Sequence, residues 1–372
     1  PSPAALHVLD ILMGLFTNKS AGAVGLSIEE DTVKYAELQP LSGGRWRIGV
    51  WGTKRFGVAQ EPPQEEMAPP ETEAESPEAV VGGGPLMQPW TLGVLSKLKK
   101  YPVFASFADR DVLMKFISLP SLNEQEVARM VELRYREYLP MPRADIVFDF
   151  SITRFAHTKD EGGVEGAGAV PGEAAGSGEE ELRIMVIGLE RGAYIGYRET
   201  FAGQGIILRS IETNQAALTR GCNFFLGPDH SGTYAVLYIN DTYSMVNFVV
   251  DHGLYYSRLL EHGLQSLTPD DVGKRRADRL LRELYRSVDF FSVESRGIPI
   301  ETLYLTNGGV TPDSGVTRRI QRFLGDSLAV EVVTLQEVIE EDDRIALPSG
   351  TAAGTLVLPV GLALRQSRGG GS

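Results

Sequence analysis

The stretch KFISLPSLNEQEVARMVELRYREYLPMPRADIVFDF, Lys115 to Phe150, decides how the chain is read. An apolar strand runs into Leu119-Pro120. Asn123 then caps a helix whose apolar positions, Val127, Val131, Tyr135 and Tyr138, return every three to four residues, and Pro140 ends it. A second strand follows over Ile146 to Ile152, with Val147, Phe148 and Phe150 close together. This order of elements is narrow.

Two acidic segments lie to either side. Residues 58–85 hold seven acids and no base, and residues 159–181 hold seven acids and one base, Lys159. They contribute −7 and −6, which accounts for the whole net charge of −13. Both are rich in Pro, Gly and Ala and poor in the aromatic and β-branched residues that offset ordering entropy, so they read as disordered surface insertions. Long loops of this kind close cheaply. Without a clustered basic face outside one helix, nucleic acid is not the expected ligand.

At 372 residues the chain is long enough for two domains with cores of their own. No apolar run approaches the roughly 20 residues that span a bilayer, and residues 1–20 carry no secretion signal, so the chain reads as soluble. Its one cysteine, Cys222, suits a reducing cytoplasm and reads as inert packing on an apolar helix. Met13-Gly-Leu-Phe-Thr-Asn-Lys-Ser20 looks like a natural start, with residues 1–12 upstream of it, and residues 1–20 read as a helical segment with Leu6, Leu9, Leu12 and Phe16 on one face.

From Val24 a hairpin and third strand follow, over Gly25 to Leu38 with a turn at Glu29-Glu30-Asp31, then Trp46 to Trp51. A helix at Trp90 to Lys100 leads to a strand at Val103 to Phe107. Beyond the second acidic segment come a strand at Leu182 to Leu189, a helix at Gly192 to Ala202, a strand at Ile206 to Ile211 and a helix at Asn214 to Phe224. The pattern restarts after Gly227 to Gly232: three strands between Tyr234 and Leu260, a long arginine-rich helix from Asp270 to about Glu294, a strand at Glu301 to Thr306, a helix at Ser314 to Leu324, a strand at Ala329 to Val333 and an apolar helix at Gly354 to Arg365. Two such units imply duplicated α/β domains facing a cleft, residues 21–230 and 231–365, with a tail at 366–372.

This layout resembles the actin, hexokinase and Hsp70 superfamily, and the segment that opens this section, with Gly253-Leu-Tyr-Tyr-Ser-Arg258, Gly263 and Gly361-Leu-Ala-Leu-Arg365, resembles the PilM family of type IV pilus assembly and its type II secretion relative GspL. The resemblance implies an actin-like two-domain α/β fold with an extra subdomain, at about residues 108–158, in the first half. It implies a cleft for ATP with magnesium. Gly25, Ser27 and Lys34 match the first phosphate hairpin and Asn240, Asp241 and Thr242 the second, since glycine lets the backbone approach a phosphate. Glu283 on the long helix, near Arg286 and Ser287, and Asn307-Gly308-Gly309 match the adenosine side. Both phosphate hairpins depart from the pattern: the acid and glycine fall on Ser27 and Glu29 in the first, on Tyr238 and Asn240 in the second.

What the resemblance implies of function is a cytoplasmic scaffold at the inner face of the inner membrane. It would hold the N-terminal tail of a PilN-like protein, couple indirectly to motor ATPases, and be open to self-association. Tail capture needs apolar pockets and polar anchors, here Ile117, Leu119, Tyr135 and Tyr138 with Arg134. An active ATPase or sugar-kinase-like enzyme using Asp241 and Glu29 as shifted metal partners is the alternative, as is a GspL-like cytoplasmic domain. No Walker loop, His-Glu-x-x-His or Gly-x-Ser-x-Gly is present. His252 and His262 flank a strand rather than form a zinc pair, and the acidic pairs at Asp270-Asp271 and Glu340 to Asp343 read as helix caps or solvated faces.

Overall fold

The structure, a computed structural model, describes residues 22–29, 32–55, 93, 96–120, 122–156, 180–227, 230, 232–267, 271–307, 310–325, 328–334, 339–340 and 353–368. The expected N-terminal helix, most of the helix expected from Trp90, the first acidic segment and nearly all of the second lie outside the described residues. Glu180 and Glu181, assigned to the second segment from sequence, instead begin a strand.

The first lobe opens with β1 (Ala23–Ile28), β2 (Thr32–Pro40) and β3 (Trp46–Arg55), an antiparallel run. β4 (Pro102–Ser106) and β8 (Ile207–Glu212) then add in parallel. The second lobe repeats the plan. β9 (Thr233–Ile239), β10 (Ser244–Val250) and β11 (Gly253–Leu260) are antiparallel, and β12 (Thr302–Thr306) and β13 (Ala329–Val332) join in parallel beside β9. Every residue of β1 and β9 is buried, as expected of strands with both faces covered. The actin-like fold expected from the sequence, two lobes with an inserted subdomain, is therefore present.

Between β5 (Val112–Pro120) and β6 (Ile146–Ala156) runs helix α1 (Glu124–Tyr138), and β7 (Glu180–Glu190) lies between those two strands in an antiparallel three-stranded sheet. Asn123 closes a capping box with Glu126, both bonds 3.0 Å, which satisfies two donors at the helix start. Val127, Val131 and Tyr135 of α1 meet Leu182, Ile184 and Val186 of β7. The sequence reading ended this subdomain near residue 158, whereas its central strand comes after the acidic segment. A strand interrupted from its partners by a long insertion looks, in sequence, like the resumption of the lobe. The sheet's other face rests on the second lobe: Phe155 packs on Tyr255 and Phe116 on Tyr256, with centroids 5.0 and 5.6 Å apart. Arg183 donates to the Tyr255 carbonyl at 3.0 Å, lies over that ring, and pairs with Glu294 at 3.2 Å.

The helices of the lobes are α2 (Arg191–Gly203), α3 (Asn214–Leu226), α4 (Asp271–Glu294), α5 (Gly315–Leu324) and α6 (Ala353–Ala363). The chain does not stay in the second lobe to its end. β14 (Ile339–Glu340) pairs with β3, and α6 packs on β1, β2 and α3. Leu356, Val357, Leu358, Val360 and Leu362 of α6 share a core with Ala36 and Ile48 of the first lobe and Val236 and Met245 of the second. Glycines make the approach close: a Cβ on Gly25 would run into the Pro359 carbonyl, one on Gly361 into Ala217 and one on Gly221 into Val357.

Candidate functional site

The two hairpins meet tip to tip. β1 and β2 pair Ser27 with Lys34, and Glu29 turns the corner with its N–H donating to the Thr32 carbonyl at 2.8 Å. From the second lobe, the end of β9 delivers Tyr238 and then Asn240. Glu29 is fully buried, Lys34 nearly so, and Lys34 Nζ reaches the two Glu29 carboxylate oxygens at 2.7 and 2.9 Å. Asn240 Nδ2 donates to Glu29 Oε2 at 2.6 Å, Ser27 Oγ to Oε1 at 3.3 Å, and the Tyr238 hydroxyl to Oε1 as well. Lys34 Nζ also donates to the Tyr238 oxygen at 2.5 Å, 5.0 Å from its ring centre. Burial, reinforced by Glu29, holds the Tyr238 hydroxyl well above its ordinary pKa, so it stays a neutral donor.

A magnesium-bound triphosphate does not fit these residues as they stand. Both Glu29 oxygens are taken, the acid slots carry Ser27 and Tyr238, and the Tyr238 side chain lies fully buried between the hairpins. Gly25, expected to admit a phosphate, instead admits the backbone of α6. Asp241 is buried beside the cluster, with its N–H on Asn240 Oδ1 at 2.9 Å and its carbonyl accepting from Gln265 at 3.0 Å; Thr242 follows in the same turn. Gly263 lies against this turn, where any side chain would collide with Asn240 and Asp241.

On the expected adenosine side, Asn307 adopts a left-handed backbone, φ 94°, and donates to the Ile239 carbonyl at 2.9 Å. Gly308 and Gly309 lie outside the described residues. Glu283 is half-buried on α4, and its Oε2 is buried without a hydrogen-bond partner among the described residues. No hydrogen bond or ion pair among the described residues joins Glu283 to the hairpin cluster.

A second polar cluster, which the sequence reading missed, lies next to the first. Asp109 follows β4 and accepts from the Tyr243 hydroxyl at 2.8 Å, Asn214 Nδ2 at 3.1 Å and Gln215 Nε2 at 3.2 Å. Burial, offset in part by these donors and reinforced by Glu29, raises Asp109 to about 6. In sequence it sits in Ala108-Asp-Arg-Asp111, spelled like any surface turn, and no spacing marks it.

The residues expected to hold a partner tail divide. Tyr135 is in the subdomain core, 8% exposed, stacked on Phe148 at 5.5 Å. Ile117, Leu119 and Tyr138 are half-buried against that same core. The expectation of an open groove at Tyr135 is corrected: its helical spacing marks the face of α1 that covers the sheet. Arg134 is exposed and pairs with Glu137 at 2.6 Å.

Two lobes of matching topology, joined tip to tip at their first hairpins and carrying a helix-backed three-stranded insertion, define an actin-like fold. Among solved structures, a chain of the PilM-PilN type IV pilus biogenesis complex is similar over 92% of this chain and 98% of that one, with 18% identity and a TM-score of 0.64. The PilM likeness read from the residues has its counterpart in the fold. More distant are the ethanolamine utilization protein EutJ from Carboxydothermus hydrogenoformans, at 10% identity over 92% of this chain and 89% of that one, TM-score 0.42. The cytoplasmic domain of EpsL, an inner-membrane component of the Vibrio cholerae type II secretion system, gives 9% identity over 95% and 97%, TM-score 0.42. No protein-family model and no curated protein matches the sequence. Among the described residues, no helix is long and apolar enough to cross a membrane.

Proposed function

We propose that this chain is a docking scaffold of a pilus or secretion assembly platform at the inner face of the inner membrane, where it holds the cytoplasmic tail of a PilN-like membrane protein and hydrolyses no ATP. The likeness to the PilM-PilN chain over nearly all of both lengths supports the first part. The second part rests on one observation, the buried Glu29–Lys34 pair capped by Tyr238 and Asn240 where a metal-bound phosphate belongs in this superfold. Catalysis of phosphoryl transfer is almost entirely positioning and charge stabilisation, and here the protein's own groups satisfy one another. The surface for the tail is reassigned to the rim of the subdomain around exposed Arg134 and half-buried Leu119 and Tyr138, since Tyr135 is core.

The test combines two measurements on the full chain. A synthetic PilN-type tail peptide is expected to bind in calorimetry, and ATP with magnesium is expected to give no steady phosphate release. Turnover that disappears in Asp241→Ala would instead establish the ATPase reading.

A further inference from the structure

On a chain of net charge −13, helices α4 and α5 carry a surface of the opposite sign. Arg279, Arg282 and Arg286 of α4 and Arg318 and Arg322 of α5 are exposed, and none has a carboxylate partner among the described residues. The helices are tied by Arg319 to Asp278 at 3.5 Å. Beside that tie, Tyr285 and Phe323 meet edge to face, centroids 6.5 Å apart, and remain 50% and 42% exposed. Arg318 and Arg322 also rim an open depression of ≈ 390 Å³ with Pro312, Thr317, Gln321 and Val330. α5 contains no acid; of the described acids on α4, Asp278 is held by Arg319 and Glu294 by Arg183, Glu283 is half-buried and Asp289 is exposed, so the arginines of the two helices outnumber the acids.

We propose that this α4–α5 face docks an acidic segment of a partner protein, its carboxylates on the arginine forks and an apolar side chain on the Tyr285–Phe323 pair. Charge complementarity selects the sign. The use of arginine alone among these five selects the chemistry, because the planar guanidinium matches a carboxylate with two parallel bonds. Arginine and tyrosine around a half-exposed ring pair is also the composition of interface hot spots. A bilayer is the poorer match, since the two rings cover each other and neither stands out as a wedge for insertion.

The face lies on α4 and α5 and the proposed tail-binding rim on α1 and β5, so the inference stands apart from the assembly reading. The probe is a fluorescein-labelled peptide alternating glutamate and leucine, titrated against the full chain, with phosphatidylglycerol vesicles in a parallel sedimentation arm. The peptide is expected to bind, more weakly as salt rises. Combined Arg279→Glu, Arg282→Glu and Arg322→Glu should weaken it by about tenfold or more, and Tyr285→Ala by about tenfold. Lysine at the same three positions should recover only part of the affinity. The arginines are exposed and Tyr285 is half-exposed, so unfolding midpoints should move little. Equal peptide binding by the charge-reversed chain, or vesicle binding that the reversal abolishes with no peptide binding, overturns the proposal. Binding of the PilN-type tail should be the same in every variant, which separates failure here from failure of the assembly reading.

Discussion

Glu29 accepts two bonds from Lys34 and one each from Ser27, Tyr238 and Asn240, and the last two come from the other lobe. A buried charge so engaged is costly to strand. Lys34→Met should cost about 3–5 kcal/mol by leaving Glu29 unpaired, while pairing it with Glu29→Gln should recover part of that loss. Tyr238→Phe, which removes one donor and keeps the ring, should cost about 1–3 kcal/mol. Urea denaturation reads all three, and an unchanged midpoint for Tyr238→Phe would mean that the hydroxyl does not hold the lobes together. Asp109 gives the pH dependence. Its folded value of about 6 lies above the ordinary 3.8, so the folded state binds the proton more tightly than the unfolded chain. Its contribution to stability is therefore present below about pH 4 and is lost as pH rises through about 6, a change of about 2–3 kcal/mol. Between those pH values wild type should lose stability relative to Asp109→Asn; parallel profiles for the two proteins would refute the assignment.

At the scale of elements, the glycines that face α6 separate two explanations of the same residue. If Gly25 served only a phosphate, an added methyl would leave folding alone. Because its Cβ would occupy the place of the Pro359 carbonyl, Gly25→Ala should cost about 3 kcal/mol or more in thermal or urea unfolding. Tyr135 on α1 poses the same kind of question. Buried against Phe148, it should cost about 3–5 kcal/mol as Tyr135→Ala, whereas a tyrosine waiting in an open groove would leave the midpoint unchanged. Helix periodicity tells which side chains share a face. It does not tell whether that face covers the protein's own sheet or a partner, and here it covers the sheet.

For the whole molecule, the restart of a hairpin at Tyr234 made the duplicated lobes legible, because hydrophobic alternation and turn residues are local signals. The departures from the phosphate pattern at Ser27, Glu29, Tyr238 and Asn240 were legible too, one hairpin at a time. That they complement one another was not, since a contact between residues some two hundred positions apart leaves no trace in either segment. β7 was misplaced, and β14, whose Glu340 was read as part of a cap or solvated face, was missed, for a related reason: a strand's partner is chosen by tertiary packing, and neither strand's own residues name it. α6 was recognised as a helix but not as the wedge between the sheets. Its position has a consequence for biogenesis. In chain order β1 and β2 precede α6 with most of both lobes between them, so the surface they bury against α6 stays bare until that helix has left the ribosome. The nascent chain must carry an unfinished core while both lobes are made, and ribosome-bound chains stopped before Ala353 are expected to remain protease-sensitive and to lean on chaperones, gaining resistance only when this helix slots home.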